Sequence, residues 1–304
     1  MIAHLLLLAA VVIWGWTFVG TKILVAELSP VEIFAARLAI GVPFLGLLLL
    51  ARGVRPRFNR ADVTRLALGG AILTLHFLIQ AVALMTTSAS NSGWIIAVTP
   101  LVLAVVSFLV LRERLGWQAI AGIGVALVGV LLLVSRGRLR DLGALQTTGD
   151  WLMLVSTLTW AIFTVVTRDV ARRHNPLAVT CAVMLSAAVL TTVLLLVSGD
   201  VTRIAALSPR GVIALLYLAI AGLALGNWFW QVGIAAVGAA RAGMYLYLEP
   251  LATVALAVPL LGEPFGVFTA LGGGLVLAGV YLGQRGQVTP DAARVRPEVT
   301  AAEP

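Results

Sequence analysis

The chain has 304 residues, 61% of them hydrophobic and only 11% charged, with a mean hydropathy of +1.04. Soluble domains carry about 25% charged residues, so this composition excludes a soluble globular protein and indicates one that crosses a membrane many times. The net charge of +8 rests on arginine, with Lys22 the only lysine; the arginines lie in short stretches between apolar runs, as topology signals and lipid-headgroup contacts rather than a nucleic-acid surface.

A span needs about 20 mainly apolar residues to cross about 30 Å of hydrocarbon. In chain order ten stretches qualify: 3–25, 31–51, 65–85, 92–111, 117–135, 150–168, 176–198, 211–233, 240–261 and 265–283. The first runs past Trp14 to Val25, too long for the apolar region of a cleavable signal. Ser29-Pro30, Asn175-Pro176 and Ser208-Pro209 start the second, seventh and eighth, each a polar cap followed by proline. Trp117 and Trp151 open the fifth and sixth, where aromatic residues meet the membrane–water boundary. In the ninth, Glu249 lies about ten residues in, or about 15 Å deep. Pro250 frees a carbonyl one turn back and is expected to bend that helix. Residues 284–304 are polar with Pro290, Pro297 and Pro304, the composition of a disordered tail.

The two halves repeat. From Pro100 to Leu132, 11 of 33 positions recur without a gap 150 residues later, among them Pro100/Pro250, Glu113/Glu263, Gly122/Gly272, Gly124/Gly274 and Gly129/Gly279. The expected units are residues 1–135 and 150–283, joined by a loop over 136–149. Five spans per unit is an odd number, so the second enters the membrane upside down. The expected fold is therefore an all-α integral membrane protein of ten transmembrane helices in two inverted-topology five-helix repeats. With the N-terminus inside, the inner loops and tail hold fourteen of the 21 Lys and Arg residues and the outer loops five. The positive-inside rule thus puts both termini in the cytoplasm, although Arg136, Arg138 and Arg140 argue locally the other way.

These pieces, in this order, resemble the drug/metabolite transporter superfamily in its ten-helix EamA-type branch. The resemblance covers about residues 8–283. It rests on Trp14-Gly15-Trp16-Thr17-Phe18, on Pro30 with Phe34 and Arg37, and on Thr99-Pro100-Leu101 running to Glu113-Arg114-Leu115. In the second copy it rests on Trp160-Ala161, Glu249-Pro250 and Gly262-Glu263-Pro264, followed by Gly272 to Gly279. It implies export or exchange of small metabolites, amino acids foremost, across a bacterial inner membrane. The superfamily's four-helix multidrug members carry an intramembrane Glu in their first helix. Here Trp14 and Trp16 stand there instead, so that proton-antiport chemistry does not carry over.

Polar and ionisable side chains inside a membrane are costly and mark candidate sites. His76 lies midway along the third span, either lining a cavity or bonded to a neighbouring helix backbone. Glu249 is placed to hold a substrate amine or a proton, or else serves the helix structurally. Arg37 and Lys22, with Glu27 and Glu32 close by, are accounted for by pairing or snorkelling. Trp14 and Trp160 occupy equivalent places in the first helix of each copy. Trp94 follows Ser90-Asn91-Ser92-Gly93 and Trp228 follows Asn227; lipid-facing or interfacial positions are the alternative for such tryptophans. The expected substrate-binding set is Trp14, His76, Gln80, Trp94, Trp160, Asn227, Trp228 and Glu249, on spans 1, 3, 4, 6, 8 and 9, with glycine-rich spans 5 and 10 as braces.

No GxxxxGK[ST] stretch is present, so no ATP-driven pump is encoded. His4, His76 and His174 are dispersed and Cys181 is the sole cysteine, so no metal site or cofactor is expected. An intramembrane hydrolase would need a nucleophile–base constellation, and none is visible. A receptor or scaffold would need a soluble domain that the short loops do not supply. The expectation is a secondary transporter, monomer or homodimer, whose partners are a small-molecule substrate and membrane lipid. It exports or exchanges amino acids, aromatic or otherwise amphipathic ones among them, and related metabolites by alternating access. The alternative is a multidrug or organic-cation exporter, which Glu249 in an aromatic cavity would suit.

Overall fold

In the computed structural model, residues 2–111, 117–135, 147–237 and 244–285 are described, and they form helices without a strand. The helices α1 (Ile2–Leu24), α2 (Pro30–Ala51) and α3 (Arg60–Thr86) match the first three expected spans. Each start has a chemical cause. Ser29 and Glu32 form a capping box in front of Pro30, and Asn59 and Asp62 form another at α3. That second box starts α3 five residues before the expected 65, because a capped polar turn precedes the apolar run.

The fourth expected span, 92–111, is two helices: α4 (Ala89–Ile96) and α5 (Thr99–Leu111). Pro100 has no N–H to donate and favours the first turn of a helix, so the chain breaks in front of it. α6 (Trp117–Ser135) completes the first half. In the second half α7 (Thr148–Arg173), α8 (Pro176–Ser198) and the short α9 (Val201–Ala205) lead to α10 (Pro209–Leu216). α10 continues through a π-helical stretch, Tyr217–Leu225, into α11 (Gly226–Val237). A 3-10 stretch, Met244–Leu248, then precedes α12 (Glu249–Leu261) and α13 (Val267–Arg285). The ninth expected span is corrected accordingly. Glu249 does not sit mid-helix above a bend but opens α12, with Pro250 in its first turn. The tail beyond Arg285 and most of the 136–149 loop lie outside the described residues.

Among the described residues, six helical stretches are long and apolar enough to cross a membrane: α1, α2, α3, α7, α8 and the composite Pro209–Gly233. Shorter apolar helices take the other four expected places. Outward-facing side chains such as Leu50, Leu196 and Val197 are 78–82% exposed, an apolar surface of the kind a lipid bilayer covers. Trp117 and Trp151 are exposed at the starts of α6 and α7, as an interfacial belt requires.

The packing exchanges partners when the halves are exchanged. α6 lies against α13, α2 against α8 and α4 against α12; α3 packs on α7 as α1 packs on α11. The α6–α13 contact has the finest detail. A Cβ on Gly129 would stand 2.7 Å from the Gly272 carbonyl and the Val276 nitrogen, and a Cβ on Gly279 would stand 2.6 Å from the Gly122 carbonyl. Each contact is the other shifted by 150 residues, and the numbering runs in opposite directions along the two helices, so they cross antiparallel. Gly124 and Gly274, on the other face, meet nothing within 4 Å.

This contrast gives a prediction. Gly129→Ala and Gly279→Ala each force backbone apart and should lower stability by about 1–3 kcal/mol, read as a lower thermal midpoint in detergent. Gly124→Ala and Gly274→Ala should leave the midpoint unchanged or slightly raised.

Candidate functional site

The site grows from α1. Its residues Trp14, Thr17 and Phe18 share one face at helical spacing, and that face meets the π-helical stretch. A π turn leaves a carbonyl out of the ordinary ladder. Trp14 Nε1 donates to the Gly222 carbonyl at 3.1 Å, and Tyr217 Oη donates to the Ile13 carbonyl at 2.8 Å. Glycine is needed on the receiving helix, since a Cβ at Gly226 would stand 2.7 Å from Trp14 Nε1. On the opposite flank Thr253 Oγ1 lies 2.9 Å from both the Gly15 and the Glu249 carbonyls, tying α1 to the first turn of α12.

Between these helices lies a cavity lined by residues of α1, α2, α3, α7, the π-helical stretch, α11 and the first turn of α12. Trp14, Phe18, Phe77 and Trp160 supply its aromatic walls. Trp14 meets Trp160 edge to face at 6.0 Å, and His76 lies 5.3 Å from the Trp160 ring. Of the expected site residues, Trp14, His76, Gln80, Trp160, Asn227 and Glu249 are brought together on it.

The polar groups differ in how far the protein satisfies them. Thr17 and Thr99 return their hydroxyls to the carbonyls of Trp14 and Ile96, both at 2.6 Å. Asn227 Nδ2 donates to Leu223 O at 2.9 Å, leaving its side-chain oxygen unengaged by that bond. His76 Nδ1 lies 3.0 Å from both the Ser156 carbonyl and Thr159 Oγ1. Thr159 already gives its proton to the Ser156 carbonyl, so Nδ1 is the donor in both contacts. The neutral ring then carries its acceptor at Nε2.

Two expected residues stand elsewhere. Trp94 is 4% exposed and packed inside the helices of α4, α6 and α13, where a Cβ on Gly273 would stand 2.6 Å from its ring. Trp228 stacks under the Arg52 guanidinium at 5.0 Å and packs among α2, α3 and α8. Helical phase explains the second difference. Asn227 and Trp230, three apart, share a face, and it is Trp230 whose ring reaches Trp14, at 5.2 Å.

Arg37 is the cavity residue that the sequence reading assigned to structure. It is 4% exposed, lines the cavity and lies over the Phe77 ring at 4.6 Å. It does not pair with Glu32 or Glu27. Glu32 accepts from Ser29 N and Asp200 N and faces Arg203 at 3.6 Å. Glu27 accepts from Ser208, whose N–H and hydroxyl hold its carboxyl below the usual carboxylate range. A signal was available: residues five apart on a helix lie about 140° apart around the axis and cannot pair as i,i+4 neighbours do. Lys22 pairs with neither Glu27 nor Glu32 but donates to Leu84 O at 2.6 Å and Thr87 O at 2.7 Å, one turn of α1 beyond Phe18.

Among the described residues no three metal-ligating side chains come together. The sequence model of the EamA-like transporter family matches residues 1–135 and again 147–283. An uncharacterized transporter of Archaeoglobus fulgidus is 29% identical over 92% of this chain and 96% of its own length. A probable terminal-alkyne amino-acid exporter of Streptantibioticus cattleyicolor is 26% identical over 91% of each. A probable amino-acid metabolite efflux pump of Salmonella typhimurium is 26% identical over 95% of this chain and 97% of its own. One solved crystal structure superposes with a TM-score of 0.66 at 19% identity, over 92% of this chain and 96% of that one, which shows a shared fold. Matched in both halves, this chain is a multi-pass membrane transporter of small molecules, not an enzyme, and belongs to the EamA-like transporter family.

Proposed function

We propose that this protein is a secondary transporter that exports or exchanges amino acids, aromatic and other amphipathic ones among them, and related small metabolites by alternating access. The observation that carries the reading is the cavity. It lies between the two halves and sets the aromatic walls of Trp14, Trp160, Phe18 and Phe77 against polar side chains that include Arg37, His76, Gln80, Asn227 and Glu249, a surface suited to an amphipathic solute. Two relatives are named as an exporter and an efflux pump for amino acids or their metabolites. The exchange of packing partners between residues 1–135 and 150–283, with α6 antiparallel to α13, supports two inverted repeats around a midplane site. The arginine distribution supports a bacterial inner membrane protein with both termini in the cytoplasm. A second reading, an organic-cation exporter, is favoured by the buried carboxylate of Glu249. An uptake panel of amino acids, sugars and organic cations in proteoliposomes, with and without a pH gradient, separates the two.

Uptake at matched protein density should fall at least tenfold in His76→Ala, which strips a hydrogen-bonding ring from the cavity wall, a loss of about 1.4 kcal/mol or more. His174→Ala, at the cap residue after α7 and bonded to Asp62 at 2.9 Å, should stay close to the unmutated rate. Equal rates for His76→Ala and the unmutated protein would reduce His76 to helix packing.

Trp160→Ala should lose transport at normal folded yield, because it empties the cavity wall. Trp94→Ala should instead lose yield, because it leaves a hole against Gly273. Size-exclusion profiles and initial uptake rates distinguish the two effects, and a normal yield for Trp94→Ala would contradict its core placement.

A further inference from the structure

Two opposite formal charges line the cavity without neutralising each other. Arg37 comes from α2 and Glu249 from the first turn of α12; they are 4% and 5% exposed. Arg37 Nε is buried with no hydrogen-bond partner, and the guanidinium lies over the face of Phe77. Cation–π stacking holds a guanidinium in place but satisfies none of its N–H groups. The Glu249 side chain likewise accepts no hydrogen bond among the described residues, while its backbone carbonyl is taken by Thr253. No ion pair joins the two. Burying a charge unpaired costs several kcal/mol, so a protein keeps two such groups in one cavity when something else supplies their partners.

We propose that Arg37 and Glu249 are the two poles of a zwitterion site: Arg37 takes the substrate's carboxylate and Glu249 its ammonium. A planar guanidinium presents paired N–H donors that match a carboxylate's two oxygens. A primary ammonium offers three donors to a carboxylate acceptor. The aromatic walls from Trp14 and Trp160 then face the side chain. This rests on the amino-acid reading and sharpens it. A carboxylate-binding arginine discriminates against simple organic cations, which Glu249 and the aromatic walls alone would admit.

The test uses the full-length protein in proteoliposomes, with phenylalanine, phenylalaninamide and N-acetylphenylalanine as probes. The amide keeps the ammonium and lacks the carboxylate; the N-acetyl compound is the converse. The unmutated protein should take up phenylalanine, and each analogue should compete about 10- to 100-fold more weakly, the change expected when one charge-assisted hydrogen bond is lost. Arg37→Gln should raise KM for phenylalanine by a similar factor and leave competition by the amide unchanged, and Arg37→Lys should recover part of the loss. Glu249→Gln should weaken phenylalanine and the amide but not the N-acetyl compound. If Arg37→Gln does not fold, the analogue series on the unmutated protein decides by itself. Uptake of phenylalanine with the amide competing equally well overturns the role of Arg37 and leaves the amino-acid reading standing. Uptake of the amide but not of the amino acid overturns both, in favour of a cation exporter.

Discussion

A backbone N–H or C=O inside a lipid bilayer has no water to bond, so departures from helix are tolerated only where protein or a cavity accommodates them. Three departures occur among the described residues, and all three border the same cavity. The break between α4 and α5 contributes Ile96 and Thr99, the π-helical stretch contributes Gly222, and the 3-10 stretch before α12 contributes Leu246 and leads into Glu249. Elsewhere the described spans are continuous helices with apolar exteriors. The irregular backbone and the cavity wall therefore coincide, from three positions in the chain.

The scaffold repeats and its lining does not. α3 packs on α7 and α1 on α11; at the first contact His76 lies beside Trp160, and at the second Gly226 lies beside Trp14. On one side an imidazole fills the space and offers a nitrogen; on the other a glycine clears room for an indole to reach the π stretch. The lining therefore differs between the two sides of the cavity. The brace helices α6 and α13 keep matched glycines at their crossing, where a methyl group from either would collide with backbone.

Much of this was legible in the sequence, and the misses have physical reasons. Helix starts at Pro30, Pro176 and Pro209 were readable because cap chemistry is local. Trp14, His76 and Trp160 were expected at a cavity from depth and repeat position and they line one, His76 also bonding the Ser156 backbone, which was its alternative. The fourth-span break was marked by Pro100, yet an unbroken apolar run masked it, since hydropathy does not register a missing N–H. The π stretch carries no signal in its composition, Tyr217–Leu225 being as apolar as any span. Trp94 and Trp228 were taken for cavity residues on polar neighbours alone, when only helical phase decides which way a side chain points. Arg37 was put down to pairing or snorkelling because Glu27 and Glu32 are close by in sequence, although the five-residue spacing sets Arg37 and Glu32 on different faces.

The central claim is that solute passes through this cavity. The sole cysteine, Cys181, can be replaced by alanine and a single cysteine introduced by Gln80→Cys on the cavity wall. In membranes this thiol should react with a water-soluble maleimide, and a transported amino acid should slow the reaction in proportion to its occupancy. A Gln80→Cys thiol that stays unreactive, or that reacts at the same rate at saturating substrate, would contradict the account.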